Sequence, residues 1–229
     1  MNLNILIATI FLITGASLLP VYFAILLVNN SLIDKKDRNH LRNTYPYQYY
    51  MDMPMGKRNA MYGLLGLSLI SIAIGSAMYL CSLQSYYALT LGIVLPLACL
   101  SLLLGNIISL SFSKLHLLFN FAGFCLFILF AISMSFITIV NGALSSSKDF
   151  LVPVVVIFGV IGFGGFLSLL NPKLTNWAKM DRAEENGTVY YIKPKVNFLA
   201  LYEWIYLILI FITAILLVIN IQVTGIIKA

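Results

Sequence analysis

The stretch Phe198–Ile221 reads FLALYEWIYLILIFITAILLVINI and contains one charged side chain, Glu203. A hydrocarbon core about 30 Å thick requires about 20 apolar residues in a helix that rises 1.5 Å per residue, and this stretch is long enough. No water is present at that depth to hydrogen-bond a free backbone, and a helix satisfies its own N–H and C=O groups. The stretch therefore predicts a transmembrane α-helix.

Five further apolar stretches of similar length precede it, at about Ile5–Val28, Ala60–Cys81, Tyr87–Leu110, Leu115–Val140 and Phe150–Leu170. Only 10% of the chain is charged, against about 25% in a soluble domain. The polar segments 29–59 and 171–197 are too short to build cores of their own. The sequence thus predicts an all-α, polytopic integral membrane protein, in which residues 1–229 form one six-transmembrane-helix bundle.

Basic residues are distributed unevenly between the gaps that separate these spans. Twelve of the fourteen Lys and Arg residues follow the first, third and fifth spans, and only Lys148 and Lys228 lie elsewhere. The positive-inside rule then predicts that both termini lie outside and that 29–59 and 171–197 are two short cytoplasmic loops. This pattern explains the net charge of +6 without nucleic acid as a partner. It favours contact with anionic lipid headgroups.

The same uneven distribution of basic residues indicates a multi-pass protein of a plasma membrane. The amino-acid usage of the chain indicates a bacterium with an AT-rich genome. The first span has no basic residue before it and no A-x-A-like cleavage site after it, so we expect a retained span and not a cleaved signal peptide. Pro20 and Pro96 are expected to kink the first and third spans, because proline removes a helical hydrogen bond.

Small residues recur at helical spacing in two spans and predict close helix packing, because they let two backbones approach. An alternative use of the glycine face in the fifth span is a substrate path. The residues concerned are Gly159, Gly162, Gly165 and Ser168 in the fifth span, and Ser71 and Gly75 in the second.

Two buried amides are expected to meet near the short connection between the third and fourth spans. Asn106 and Asn120 are each about seven residues from its centre, so antiparallel helices place them at the same depth, about 10 Å from the turn. A direct amide–amide bond there is worth about 0.6 kcal/mol.

Ionisable residues within spans are the default candidates for function, because charge in hydrocarbon is costly. Glu203 lies about a turn and a half into the sixth span, and His116 lies just inside the fourth. Either a structural or a polar functional role is open to them. There is no H-E-x-x-H motif, no aspartate within a span and no paired cysteine spacing. We therefore expect no catalytic residue, metal or cofactor.

The two cytoplasmic loops contain aromatic, methionine and acidic residues in addition to the basic residues that fix membrane orientation. Prolines at 46 and 54 favour an extended, tyrosine-rich and methionine-rich strip over 45–55, of a kind enriched at interfaces. The second loop is predicted to form an interfacial helix that ends at Asn186-Gly187, followed by an extended stretch over Val189–Ile192. A docking face for a membrane or cytoplasmic partner protein is predicted from Tyr45, Tyr47, Tyr49, Tyr50, Trp177, Asp181, Glu184 and Glu185.

Three functions remain open at this stage. The preferred one is a non-enzymatic accessory or interaction subunit of a membrane complex, or a membrane-protective protein of the immunity type. The second is a small transporter or channel for an uncharged or lipid-like substrate. The third is an integral lipid-modifying enzyme that uses Glu203 and His116 at the cytoplasmic interface.

Overall fold

The computed structural model describes most of the chain. The described residues are 3–33, 40–41, 43–51, 53–83, 86–108, 113–143, 148–170, 181–185, 188–192 and 196–227.

Seven helices and one hairpin make up this described part. The helices are α1 Leu3–Ser31, α2 Gln48–Met51, α3 Met55–Ser82, α4 Tyr86–Ile107, α5 Ser113–Ala143, α6 Lys148–Leu169 and α7 Phe198–Ile227. Strands β1 Asp181–Glu185 and β2 Thr188–Ile192 pair antiparallel between α6 and α7.

The prediction of an all-α polytopic membrane bundle is confirmed. Among the described residues, α1, α3, α4, α5 and α7 each contain a segment long and apolar enough to cross a membrane, and Val154–Leu169 of α6 is a shorter apolar helix. Each predicted span coincides with one of these six helices. Both α1 and α4 continue as α-helix through Pro20 and Pro96, so neither proline interrupts its span.

The long helices pack side by side in the order α1, α3, α4, α5 and α6, whereas α7 packs mainly against α1 and makes little contact with α6. The α1–α3 contact is close because glycines lie in it. A Cβ at Gly75 would lie 2.8 Å from the carbonyl oxygen of Ala8, and one at Gly15 would lie 2.7 Å from that of Ser68. Ser71 is buried on α3, one turn before Gly75.

The small residues of α6 face α5. A Cβ at Gly162 would lie 2.6 Å from Ile132 Cγ1 and 2.9 Å from its backbone nitrogen. One at Gly165 would lie 2.8 Å from Ile128 Cγ1, and one at Gly159 would lie 3.4 Å from Ser135 Oγ. Ser168 Oγ donates back to the carbonyl of Gly165 at 2.6 Å. The three glycines of the stripe thus lie in the contact between α6 and α5.

The interfacial helix predicted to end at Asn186-Gly187 is wrong for residues 181–185, which form a strand. The register pairs Glu185 with Thr188, so 181–185 are extended where a helix was predicted, and the rest of that prediction, over 171–180 and 186–187, lies outside the described residues. The extended stretch predicted over Val189–Ile192 is part of β2, to which it supplies β-branched and aromatic residues.

Candidate functional site

A histidine and a glutamate that are distant in sequence meet inside the bundle. His116 lies in the first turn of α5 and Glu203 in the second turn of α7, and His116 Nε2 lies 2.9 Å from Glu203 Oε1. Both side chains are fully buried. The sequence singled out each residue separately, and the structure brings them together. This end of the bundle, where α1, α4 and α6 end and α3, α5 and α7 begin, is called the loop end below.

The hydrogen bonds of the imidazole define the protons of the pair. His116 Nδ1 lies 3.0 Å from the carbonyl oxygen of Ile108, just after α4. A carbonyl only accepts, so Nδ1 carries a hydrogen. One further proton between Nε2 and Oε1 gives either imidazolium with carboxylate or imidazole with carboxylic acid. Both arrangements have zero net charge, which is the condition for burying such a pair in apolar surroundings.

Asn120 supports His116 from the next turn of α5. Its Nδ2 donates to the His116 carbonyl at 3.0 Å and lies 3.3 Å from His116 Nε2. Asn106 is also fully buried, but its Nδ2 donates to the carbonyl of Leu102 at 3.0 Å. The two amides therefore bond to carbonyls of their own helices, and not to each other as predicted. Gly105 leaves room for Asn120, because a Cβ there would lie 2.7 Å from its amide.

A tyrosine segment, defined as Thr44–Met51, covers the pair from the loop end. The rings of Tyr45 and Tyr47 have their centroids 5.1 Å and 5.6 Å from that of the His116 imidazole. Trp204 Nε1, on α7 next to Glu203, donates to the carbonyl of Thr44 at 2.9 Å. The segment is thus joined to both helices that supply the pair.

Asn197 joins the tyrosine segment to the start of α7. Its Oδ1 accepts from the backbone N–H of Ala200 at 3.3 Å, which is an N-cap contact. Its Nδ2 donates to the hydroxyl of Tyr45 at 3.2 Å. One side chain therefore caps the helix that carries Glu203 and holds the ring that covers His116.

The rest of the tyrosine segment packs into an aromatic cluster with α1, α3 and α7. Tyr49 lies edge-on to Trp204, and Tyr50 contacts Tyr62 and Tyr22 edge-on. Burial raises the pKa of Tyr49 to about 12 and also raises the pKa values of Tyr45 and Tyr50. These phenols are therefore neutral at physiological pH, and the cluster adds no charge beside Glu203.

The expectation of an exposed tyrosine strip is wrong. Tyr45, Tyr47, Tyr49 and Tyr50 are exposed by 3%, 2%, 5% and 0%. The backbone N–H groups of Gln48 and Tyr49 donate to the carbonyls of Tyr45 and Pro46, so the chain forms a turn that leads into α2 and does not stay extended. Met51 and Met55 remain exposed. The acidic residues predicted to dock a partner, Asp181, Glu184 and Glu185, lie on β1, and Trp177 lies outside the described residues.

Sequence reasoning missed the inward folding of the tyrosines because their ring partners lie far along the chain. The available signal was the pair of buried ionisable residues, Glu203 and His116, which require cover from water. Trp204 and Asn197 were also not identified, although Trp204 directly follows Glu203 in the sequence and Asn197 precedes it by six residues.

An apolar cavity lies next to this polar centre, between α5, α6 and α7. Its volume is about 460 Å³, and α6 packs mainly on α5 at this level, with little contact to α7. The two tyrosine hydroxyls on its wall are satisfied: Tyr202 donates to the carbonyl of Ser168 at 3.2 Å, and Tyr206 donates to that of Gly123. Residues from each of its walls include Phe124, Phe127, Val160, Gly164, Tyr202 and Tyr206.

The chemistry available in the polar centre is the binding and release of a proton. No group of three or more His, Cys, Asp or Glu side chains that could bind a metal is found in the part of the chain that the structure describes. Comparison with protein-family models, with curated proteins and with solved structures finds no match.

Proposed function

We propose that this protein is a small transporter of a lipid-like substrate, in which the Glu203–His116 pair is the proton-coupling site. The observation that carries the proposal is the complete burial of this pair within membrane-spanning helices. Ionisable side chains inside a membrane are costly, and proton relays of pumps and transporters are a principal use of them. Helix packing alone can be achieved with small and apolar residues, as α1 and α3 illustrate.

The proton count suggests how coupling operates. In the closed arrangement the pair shares one proton between Nε2 and Oε1 and is neutral. Loss of that proton leaves a carboxylate without a compensating charge, which is unfavourable until water reaches it. The tyrosine segment separates the pair from the loop end. Proton exchange therefore requires the segment to move, and this links protonation to opening.

The substrate class is inferred from the cavity. Its volume falls within the range of about 300–1,000 Å³ typical of ligand sites, and its lining is apolar. Tyr202 and Tyr206 line it, while Glu203 on the same helix contacts His116. A shift of α7 therefore alters the cavity and the proton site together.

The rival functions have less support. The docking face predicted for an accessory subunit included Tyr45, Tyr47, Tyr49 and Tyr50, and these four side chains are buried. The lipid-modifying enzyme requires Glu203 and His116 to reach a substrate, and both are enclosed. The basic residues of 29–59 and 171–197 support the proposal of a bacterial plasma-membrane location, with both loops cytoplasmic.

Reconstitution into liposomes tests the transport proposal. The vesicles contain a trace of a fluorescent phospholipid, and a membrane-impermeant quencher added outside reports how fast the inner-leaflet label becomes accessible. We expect translocation above that of protein-free vesicles, an acceleration by a pH gradient, and a loss of that acceleration in Glu203→Gln.

The matched control is Thr213→Val, which changes another fully buried polar side chain on α7, ten residues away, and should leave the pH response intact. Translocation equal to that of protein-free vesicles overturns the proposal. An unchanged pH response in Glu203→Gln overturns the coupling role of the pair.

A further inference from the structure

We infer that the cavity between α5, α6 and α7 binds one acyl chain of an anionic glycerophospholipid. The inference rests on the proposed function for its biological meaning and deepens it by naming the substrate class. The binding step is nonetheless open to a separate test.

The first argument is the position of the cavity. Its walls come from helices that carry the apolar segments Lys114–Phe136, Val154–Leu169 and Phe198–Gln222. On α7 the lining extends from Phe198 to Leu209, which is about 16 Å at 1.5 Å per residue. The cavity therefore runs along the helices from the loop end towards the middle of the membrane, as a lipid chain does.

The second argument is the lack of unsatisfied polar groups on the wall. Tyr202 and Tyr206 turn their hydroxyls to the carbonyls of Ser168 and Gly123, so their rings are what the cavity presents. A polar ligand would have to leave its water at this depth, and these two hydroxyls have already donated their hydrogens to backbone carbonyls. An alkyl chain loses nothing by entering and gains contact with the aromatic rings.

The third argument is free space on α6 beside its close contact with α5. A Cβ at Gly164 would meet no atom within 4 Å, whereas one at Gly162, two residues earlier, would collide with Ile132. Gly164 lines the cavity, and Val160, one turn earlier on α6, is 67% exposed. Thus α6 presents one face to α5 and a second, unfilled face to the cavity.

The headgroup is inferred from charge. The loop end of the cavity is lined by Leu169 and Phe198. In the sequence Lys173 follows Leu169 by four residues, and Lys195 precedes Phe198 by three. Residues 170–197 contain five basic residues against the three acidic ones, Asp181, Glu184 and Glu185, so their net charge is +2. An anionic phosphate headgroup complements this surplus of positive charge.

Photo-crosslinking in vesicles tests the site. The probe is phosphatidylglycerol with a photoactivatable diazirine in one acyl chain, diluted into phosphatidylcholine, and labelled peptides are identified by mass spectrometry. We expect labels on the cavity-facing peptides of α5, α6 and α7. Gly164→Trp, which fills the cavity, should reduce this labelling several-fold. Val160→Trp fills the same cavity from another position if the first variant does not accumulate.

Gly63→Trp is the matched control, because Gly63 is also an exposed helical glycine with no atom within 4 Å of a Cβ, but lies on α3. It should leave the labelling unchanged. The site is overturned if both cavity-filling variants are labelled as strongly as the unmodified protein. It is also overturned if all lipid-exposed peptides are labelled equally, whether or not they face the cavity. Equal labelling by a phosphatidylcholine probe with the same chains overturns the choice of an anionic headgroup.

The two proposals fail in different ways. Labelling of the cavity without translocation means that the lipid is held and not moved, so only the transport proposal fails. Translocation without labelling of the cavity means that the substrate takes another path, so only this inference fails.

Discussion

At the scale of single residues, Glu203 and His116 depend on each other. Each is buried, and their contact keeps the polar centre neutral with one shared proton. Asn120 and the Ile108 carbonyl hold the imidazole in place, and Gly105 leaves the space that Asn120 occupies. Conservative substitutions of the surrounding residues therefore change the distance and orientation between the two side chains. Removal of one of the two leaves the other buried without a compensating charge or a hydrogen-bond partner.

A double-mutant cycle tests this dependence. We expect His116→Leu and Glu203→Leu each to lower the free energy of unfolding by about 3–5 kcal/mol, because each leaves an uncompensated polar group. The double variant should cost less than the sum of the two, by about 0.5–3 kcal/mol. Denaturation in mixed micelles measures all three. Strictly additive costs would mean that the two side chains do not interact in the folded protein.

At the scale of elements, α6 shows how two glycines of one helix differ in role. Gly162 faces α5 at a distance that excludes a Cβ, and Gly164 faces the open cavity. The sequence grouped Gly159, Gly162 and Gly165 by their spacing, which is a local property. It held no information on which helix they contact or on the space beside Gly164.

Alanine substitution at these two glycines distinguishes the faces. Gly162→Ala should lower the free energy of unfolding by about 1–3 kcal/mol, because the new methyl group collides with the backbone and side chain of Ile132. Gly164→Ala should be neutral or stabilising by up to about 1 kcal/mol, because alanine favours helix and meets no neighbour. The same unfolding assay serves both. Equal effects of the two changes would argue against the observed α5–α6 contact.

At the scale of the whole molecule, an even number of spans places both termini on one side. We expect the termini outside and the loops 29–59 and 171–197 inside, because twelve of fourteen basic residues lie on that side. In a cysteine-free background, a cysteine at Ser146 should react with an impermeant thiol reagent in intact cells, and one at Asn186 should react only after lysis. Labelling of the Asn186 position from outside would reverse the orientation.

The sequence alone determined where the helices lie and that they span a membrane. Helix length and apolarity can be read from a short stretch of sequence. At 1.5 Å per residue, Phe198–Ile221 is long enough to cross the hydrocarbon core, and an α-helix is the structure in which such a stretch makes all its own backbone hydrogen bonds there. The two candidates for polar function, Glu203 and His116, were also identifiable, because a charge inside a span is an exception wherever it occurs.

Only the tertiary structure decided which residues meet. The pairing of Glu203 with His116 and the inward turn of Tyr45 and its neighbours depend on contacts between segments far apart in the chain. A tyrosine suits both an exposed interface and a buried, hydrogen-bonded site, so its residue type does not choose between them. Packing favours burial here, because Asn197 hydrogen-bonds the hydroxyl of Tyr45, Trp204 binds the backbone carbonyl of Thr44, and the rings cover a polar pair that water would otherwise reach.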